Sequence, residues 1–156
     1  MPVVRRMEEK DIAAVAALER AAFVDAWTEK GIYDTFCQKQ AYIFVAVQDG
    51  ELVGYCIVYQ VPDEAEIARI AVDPSFRRQG VGRSLLEAVR KECKTGRINR
   101  LLLDVRKSNH EARVFYSHYG FREDGVRKNF YDLPKEDAIL MSMAAVSTGN
   151  AKSRDL

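Results

Sequence analysis

The stretch from Ala65 to Leu86 changes its apolar period midway, and that change restricts the fold more than any other feature of the chain. Residues 65–72 (AEIARIAV) read as a strand. Asp73-Pro74 ends it, because proline cannot donate to a ladder and biases the residue before it. Beyond two glycines, Val81, Leu85, Leu86, Val89 and Cys93 recur at helical spacing, which predicts an amphipathic helix over 82–94 with Gly96 just past its end. Residues 100–106 (RLLLDVR) are a second strand. Strand, helix and strand make a βαβ crossover, and such a crossover sets its two strands parallel.

The flanking segments read as helices and hairpins. A helix is expected over 7–23, with Ile12, Val15, Ala16, Leu18 and Ala22 on one side. Thr28 is a candidate N-cap for a second, anchored by Ile32 and Phe36. Strands at 42–47 and 51–60 are joined by Asp49-Gly50, a strong hairpin signal. A helix follows over 109–119, with Asn109 as candidate N-cap and Gly120 after it. Two more strands are expected from Phe121 onward and over 137–143. The expected fold is a single α/β (α+β) domain over 1–146. Its sheet is mixed, mostly antiparallel, of about six to seven strands with one central parallel pair, and helices cover both faces. Residues 147–156 are expected to be a polar, disordered tail.

Composition narrows the function. The chain has 156 residues, 47% of them apolar and 30% charged, with a net charge of +1. That balance suits one globular domain and carries none of the basic excess expected of a nucleic-acid binder. No apolar run approaches a membrane span, and the N-terminus lacks a signal-peptide core, so a cytoplasmic protein is expected. Cys37, Cys56 and Cys93 are far apart and odd in number, and only His110 and His118 could join them. Neither a disulfide framework nor a metal site is expected.

The loop between the first strand of the crossover and its helix is the chemical centre. A helix start exposes unpaired N–H groups and a positive dipole end, and glycines let a ligand approach the backbone. That combination suits a diphosphate. It is not a Walker A loop, which needs a lysine absent here, nor a G-x-G-x-x-G fingerprint, whose third glycine is replaced by Leu85. What remains is Arg77-x-x-Gly80-x-Gly82. In its strand–loop–helix setting this resembles the acetyl-CoA signature of the GNAT superfamily of N-acetyltransferases. Asp104-Val105 through Asn109, then Tyr116 and Gly120-Phe121, resemble that family's C-terminal pattern.

The resemblance implies acetyl-CoA as co-substrate. Backbone amides around Gln79, Gly80, Val81, Gly82, Arg83 and Ser84, together with Arg77, would hold the diphosphate. Ile70, Ala71 and Val72 would run beside pantetheine, Asn109 would bond the cofactor, and Tyr116 would stand near the thioester sulfur as proton donor. Two carboxylates compete as base: Glu66, matching histone-type members and placed slightly ahead, and Asp104, where bacterial ribosomal-protein-alanine acetyltransferases of the RimI type carry a glutamate. Asn109 read as a helix cap, Tyr116 as core and either carboxylate as a satisfied polar residue are the structural alternatives.

The RimI-type likeness extends through Trp27-Thr28-Glu29-Lys30, Arg127-Lys128-Asn129-Phe130-Tyr131 and Glu136-Asp137-Ala138, although Val24-Asp25-Ala26 replaces a proline at the entrance. It implies a protein N-terminal α-amine as acceptor, of a ribosomal protein, with Trp27, Tyr33 and Tyr131 lining its groove. No nucleic acid, membrane or metal partner is expected, and the protein is expected to act as a monomer or weak homodimer. A small-amine or lysine acetyltransferase and a non-catalytic acetyl-CoA-binding module are the competing readings.

Overall fold

The computed structural model describes residues 2–145. Its strands are β1 (Val3–Arg6), β2 (Ala41–Gln48), β3 (Glu51–Gln60), β4 (Glu64–Val72), β5 (Arg100–Arg106), β6 (Arg122–Asp132) and β7 (Lys135–Ala144). Its helices are α1 (Ile12–Ala22), α2 (Glu29–Phe36), α3 (Val81–Thr95) and α4 (His110–Tyr119). The seven strands form one sheet in the order β1-β2-β3-β4-β5-β7-β6. Every neighbouring pair is antiparallel except β4 and β5. This is the mixed sheet with a central parallel pair that the crossover demands.

Alternation along the strands splits the apolar residues between two layers. Ile43 and Val45 of β2 and Tyr55 and Ile57 of β3 join Ile12, Val15 and Ala16 of α1 and Ile32 of α2. Tyr42 and Phe44, with Cys56 and Val58, face the other way onto Val81, Leu85, Leu86, Val89 and Cys93 of α3. Cys56 and Cys93 are fully buried in that second layer, as their apolar settings imply. The sheet therefore carries helices on both faces.

Several local signals act as expected. The Thr28 hydroxyl accepts from the Gly31 amide at 2.9 Å and caps α2. Asp49 and Gly50 both take positive φ (53° and 80°), which the tight β2–β3 turn requires. Two details differ. Strand β1 was not expected: four residues, two of them arginine, are too short to show a period, and only pairing with residues 44–47 of β2 reveals it. The helix expected from residue 7 starts later, because a 3-10 turn at Glu9–Asp11 precedes α1. Asp11 is occupied there by the Arg5 guanidinium and the Glu8 amide, at 2.7 and 2.8 Å. The tail expected over 147–156 lies outside the described residues.

The feature that positions the site is where the parallel ladder stops. Strands β4 and β5 are registered only from Glu64↔Arg100 to Ile67↔Leu103. Beyond that, β4 follows β3 while β5 follows β7. Ile57 is registered with Arg69 and Val58 with Ile67, so Ala68 is one residue too many on β4. Such a bulge bends and twists its strand. It also reverses the alternation: Ala65 and Ile67 belong to the α3 layer, whereas past Ala68 that role passes to Ile70 and Val72. The two central strands thus part, and a gap opens between residues 68–72 and 104–106.

Candidate active site

A cleft of about 740 Å³ runs from this gap to the start of α3. Ile70, Ala71, Val72, Arg77, Gly80, Val81, Gly82, Arg83, Asn109 and Tyr116 all line it, ten of the residues expected to meet the cofactor. Asp73 donates its amide to Val53 in β3 at 2.8 Å. Because N–H groups alternate in direction along a strand, the Ala71 amide points into the ladder. Those of Ile70 and Val72 point into the gap.

At the other end of the cleft, the backbone of the loop is shaped for the helix start. Arg78 and Gly80 both take positive φ (64° and 83°). Gly80 is the N-cap of α3, and its carbonyl accepts the Ser84 amide at 2.9 Å. The amides of Val81, Gly82 and Arg83 precede that first intrahelical bond and are left for a ligand. Ser84 is a correction to the sequence reading: its amide is already used inside the helix. Gln79 is not among the residues lining the cleft; its side chain bridges Gln48 and the Ser75 carbonyl, each at 3.4 Å. A Cβ on Gly82 would lie 3.2 Å from Phe115 Cζ, so α4 closes tightly over the start of α3. Arg77, Arg78 and Arg83 give this end of the cleft its positive character. Arg77 is ion-paired with Glu111 at 3.4 Å, both side chains being exposed.

Asn109 caps α4, accepting from the Ala112 amide at 3.2 Å, and also lines the cleft. Tyr116, about two turns further along, is buried between Phe115 and Phe121 at centroid distances of 5.4 and 5.5 Å. Burial pushes its phenol well above the ordinary value near 10, so it stays protonated.

On the opposite face of the parallel pair stands a charged cluster. Glu66 is registered with Leu102, and alternation puts Asp104 and Arg106 on that same face. Burial raises the carboxyl pKa of Glu66, Asp104 adds to the rise, and Arg127 opposes it. Asp104 is raised by burial and likewise opposed by Arg127. Tyr131 joins them: burial, then Asp104, push its phenol up to about 12. Arg106 lies 4.3 Å over its ring. Glu66, Asp104, Arg127 and Tyr131 therefore form one groove wall. Trp27 stands on the facing loop, 5.6 Å from the Arg69 guanidinium. Tyr33 does not join them. It is 44% exposed on α2, its ring against Phe36, and its charged or polar neighbours are Cys37, Glu9 and Asp34.

Sequence reasoning overlooked a buried polar network beside this groove. The Glu19 side chain is fully buried in α1. It accepts from the Tyr55 hydroxyl, from the Trp27 amide at 2.9 Å and from Arg69 Nε at 2.9 Å. A glutamate near the end of an amphipathic helix gives no sign of this. The break in apolar period at Ala68-Arg69 was the available signal.

Among the described residues, no group of three or more His, Cys, Asp or Glu is placed to hold a metal ion, and no helix is long and apolar enough to cross a membrane.

The acetyltransferase (GNAT) family matches residues 12–121. The ribosomal protein bS18-alanine N-acetyltransferase of Escherichia coli (strain K12) is 36% identical over 148 residues, spanning 92% of this chain and 97% of that protein. A Bacillus subtilis (strain 168) relative, given the bS18-alanine name provisionally, is 37% identical over 139 residues, 88% of this chain and 92% of its own. The crystal structure of the ribosomal-protein-S18-alanine N-acetyltransferase from Escherichia coli superposes with a TM-score of 0.85 at 33% identity, covering 99% of this chain and 100% of that one. With the splayed parallel pair and the exposed start of α3 built from the motifs inside the matched region, the chain belongs to the GNAT family of acetyltransferases.

Proposed function

We propose that the chain transfers an acetyl group from acetyl-CoA to the α-amine of a protein N-terminus, of the ribosomal-protein-alanine type. The observation that carries the reading is the gap between β4 and β5: the cleft opens at the free helix start on the α3 face and reaches Phe23 on the α1 face, the face of the Glu66–Asp104 groove. A donor entering from the first side and an amine from the second meet between the strands. The names of the relatives at 36–37% identity support this acceptor.

The residues fit the donor. The amides of Val81, Gly82 and Arg83 hold its diphosphate at the positive end of α3, with Arg77 and Arg83 as counter-charges. Gln79 turns the loop rather than touching the ligand. Ile70 and Val72 present their amides to the acetyl carbonyl and stabilise the oxyanion that develops there. Acetyl-CoA supplies an acyl carbon activated by its thiolate leaving group.

The acceptor nitrogen attacks that carbon. The C–N bond forms, the C–S bond breaks, and the nitrogen releases one proton while the sulfur gains one. Glu66, through a water and beside Asp104, takes the proton from the amine. Its raised pKa makes it a stronger base than an ordinary glutamate. Tyr116, protonated and facing the cleft, gives a proton to the sulfur. Trp27 and Tyr131 flank the incoming peptide. An α-amine with pKa near 8 is roughly a tenth neutral at pH 7, so the demand on the base is modest. The reading treats residues 1–146 as the catalytic domain of a cytoplasmic monomer or weak homodimer, with no nucleic acid, membrane or metal partner.

Mass spectrometry tests it. Peptides beginning Ala-Arg should gain 42 Da (about one acetyl group) at the α-amine, with spermidine and free lysine as poor acceptors. Equal or better turnover of spermidine moves the reading to a small-amine acetyltransferase. No product from any amine, with acetyl-CoA bound, moves it to a binding module.

A further inference from the structure

Between Phe23 and Thr28 the chain holds its shape almost without backbone help. Phe23 donates to Glu19 O at 3.0 Å, and the next backbone–backbone bond is Ile32 to Thr28 O. The Trp27 amide goes instead to the Glu19 carboxylate. Arg69 completes the arrangement. Its Nη2 donates to the Asp25 carbonyl at 2.8 Å and to Asp25 Oδ1 at 3.1 Å, while Nε holds Glu19. Its guanidinium lies 4.0 Å from the Phe23 ring and 5.6 Å from that of Trp27. One side chain on β4 thus touches three residues of the loop and the helix before it.

We propose that Arg69 is a positioning residue for the acceptor: it clamps the loop carrying Phe23, Asp25 and Trp27 onto β4 and so builds the groove wall opposite Tyr131. The inference rests on the acetyltransferase reading of the groove. Two observations support it. The Ala68 bulge turns Arg69 onto the α1 face; without it, alternation from Ile67 would aim that side chain at the α3 layer. Tyr131 on the far wall is influenced by both Arg69 and Asp25, so loop and hairpin face the same space. A planar fork is needed, since one guanidinium serves Glu19 and Asp25 at once and a lysine cannot.

Steady-state kinetics on the full chain test this with Arg69→Ala, Arg69→Lys and Asp25→Ala. In Arg69→Ala the KM for an Ala-Arg peptide rises about tenfold or more, while the KM for acetyl-CoA stays within about twofold. Lysine at 69 recovers part of the loss. Asp25→Ala raises the peptide KM about three- to fivefold. Arg69→Ala leaves Glu19 buried without its counter-charge; if that variant does not fold, Asp25→Ala, which leaves the Glu19–Arg69 pair intact, decides alone. Unchanged peptide KM in folded Asp25→Ala overturns the proposal, and so does an equal rise in both KM values. Hydrogen exchange at the Trp27 amide reads the clamp without turnover. If the wild type acetylates no peptide but Asp25→Ala exposes that amide, the acetyltransferase reading has failed and the clamp has not. An amide equally protected in both removes the clamp itself.

Discussion

Glu66 and Asp104 share one face of the parallel pair β4–β5, a single step apart: Glu66 is registered with Leu102, and Asp104 follows two residues on. Both carboxyls are raised by burial, and the charge of Asp104 raises Glu66 further. A raised acid pKa means the basic form is lost at a higher pH than for an ordinary glutamate near 4.3. The acidic limb of the wild-type pH–rate profile is therefore expected above the usual carboxylate range. Glu66→Gln should lower kcat/KM about a hundredfold near pH 6, where nearly all of the amine is protonated and must lose an extra proton before attack, and much less at pH 9, where the amine is already neutral and hydroxide and water more readily take the remaining proton. A profile identical to wild type would shift the role to Asp104 or to bulk water.

The same pKa shifts predict a gain in stability. A carboxyl that is harder to ionise when folded makes the native state relatively less stable once pH exceeds both its unfolded and folded values. Asp104→Asn should raise the melting temperature by about 1–2 °C at pH 8 and by nothing at pH 3, where both states are already protonated. A melting temperature lowered at pH 8 would mean that Arg127, which opposes the shift, dominates instead.

Gly80 and Gly82 are both glycine for different reasons, and substitutions separate them. Nothing lies within 4 Å of a Cβ built on Gly80, but its φ is +83°, so Gly80→Ala should cost about 1–2 kcal/mol of stability by strain. Gly82 has an ordinary φ and a Phe115 ring 3.2 Å from the same point. Gly82→Trp should fill the diphosphate end of the cleft and weaken acetyl-CoA binding at least a hundredfold by calorimetry. Unchanged affinity in Gly82→Trp is the result that contradicts the placement.

How much of this was legible follows from where the information sits. The crossover, the Gly80–Gly82 loop and both N-caps at Thr28 and Asn109 are local patterns, so they can be read along the chain. The Asp49-Gly50 turn is another. Strand β1 could not be read, since four residues make a strand only when β2 lies beside them. Nor could the partners of Glu19: Tyr55 and Arg69 are 36 and 50 residues away. The RimI-type likeness implies Tyr33 in the groove, but a helix turns its side chains around the axis, and this one faces Phe36. The Ala68 bulge lies between these cases. The shift from Ala65 and Ile67 to Ile70 and Val72 is visible in the sequence, but its meaning depends on which helix waits on each face.

Tyr116 is buried and remains protonated, which suits a donor to a thiolate formed beside it. Phenylalanine preserves the ring packing on Phe115 and Phe121 and removes only the hydroxyl. Tyr116→Phe should lower kcat about a hundredfold and leave the Kd for acetyl-CoA within about twofold. Normal turnover would assign the residue to the core alone.

Glu136 ties the β6–β7 hairpin to the β5–α4 loop, and its charge should be measurable as stability. Oε2 accepts the Ser108 amide at 2.6 Å, immediately before the Asn109 cap, and Oε1 pairs with Arg106 at 3.3 Å. Arg106 in turn donates to the carbonyls of Leu133 and Pro134, each at 2.9 Å, and stacks on Tyr131. The next residue, Asp137, accepts the amide of Asn129, whose φ is +54° in the β6 irregularity. Adjacent side chains on β7 thus hold the β5–α4 loop and the groove hairpin. Hydrogen bonding to Ser108, above all, pulls the Glu136 pKa down. A depressed carboxyl stabilises the fold above its unfolded pKa near 4.3 and loses that contribution as pH falls through the folded value. Glu136→Gln should therefore melt below wild type at pH 7, with the gap between the two narrowing as pH falls below 4 toward 3. A gap of the same size at both pH values would show that the residue acts by shape and not by charge.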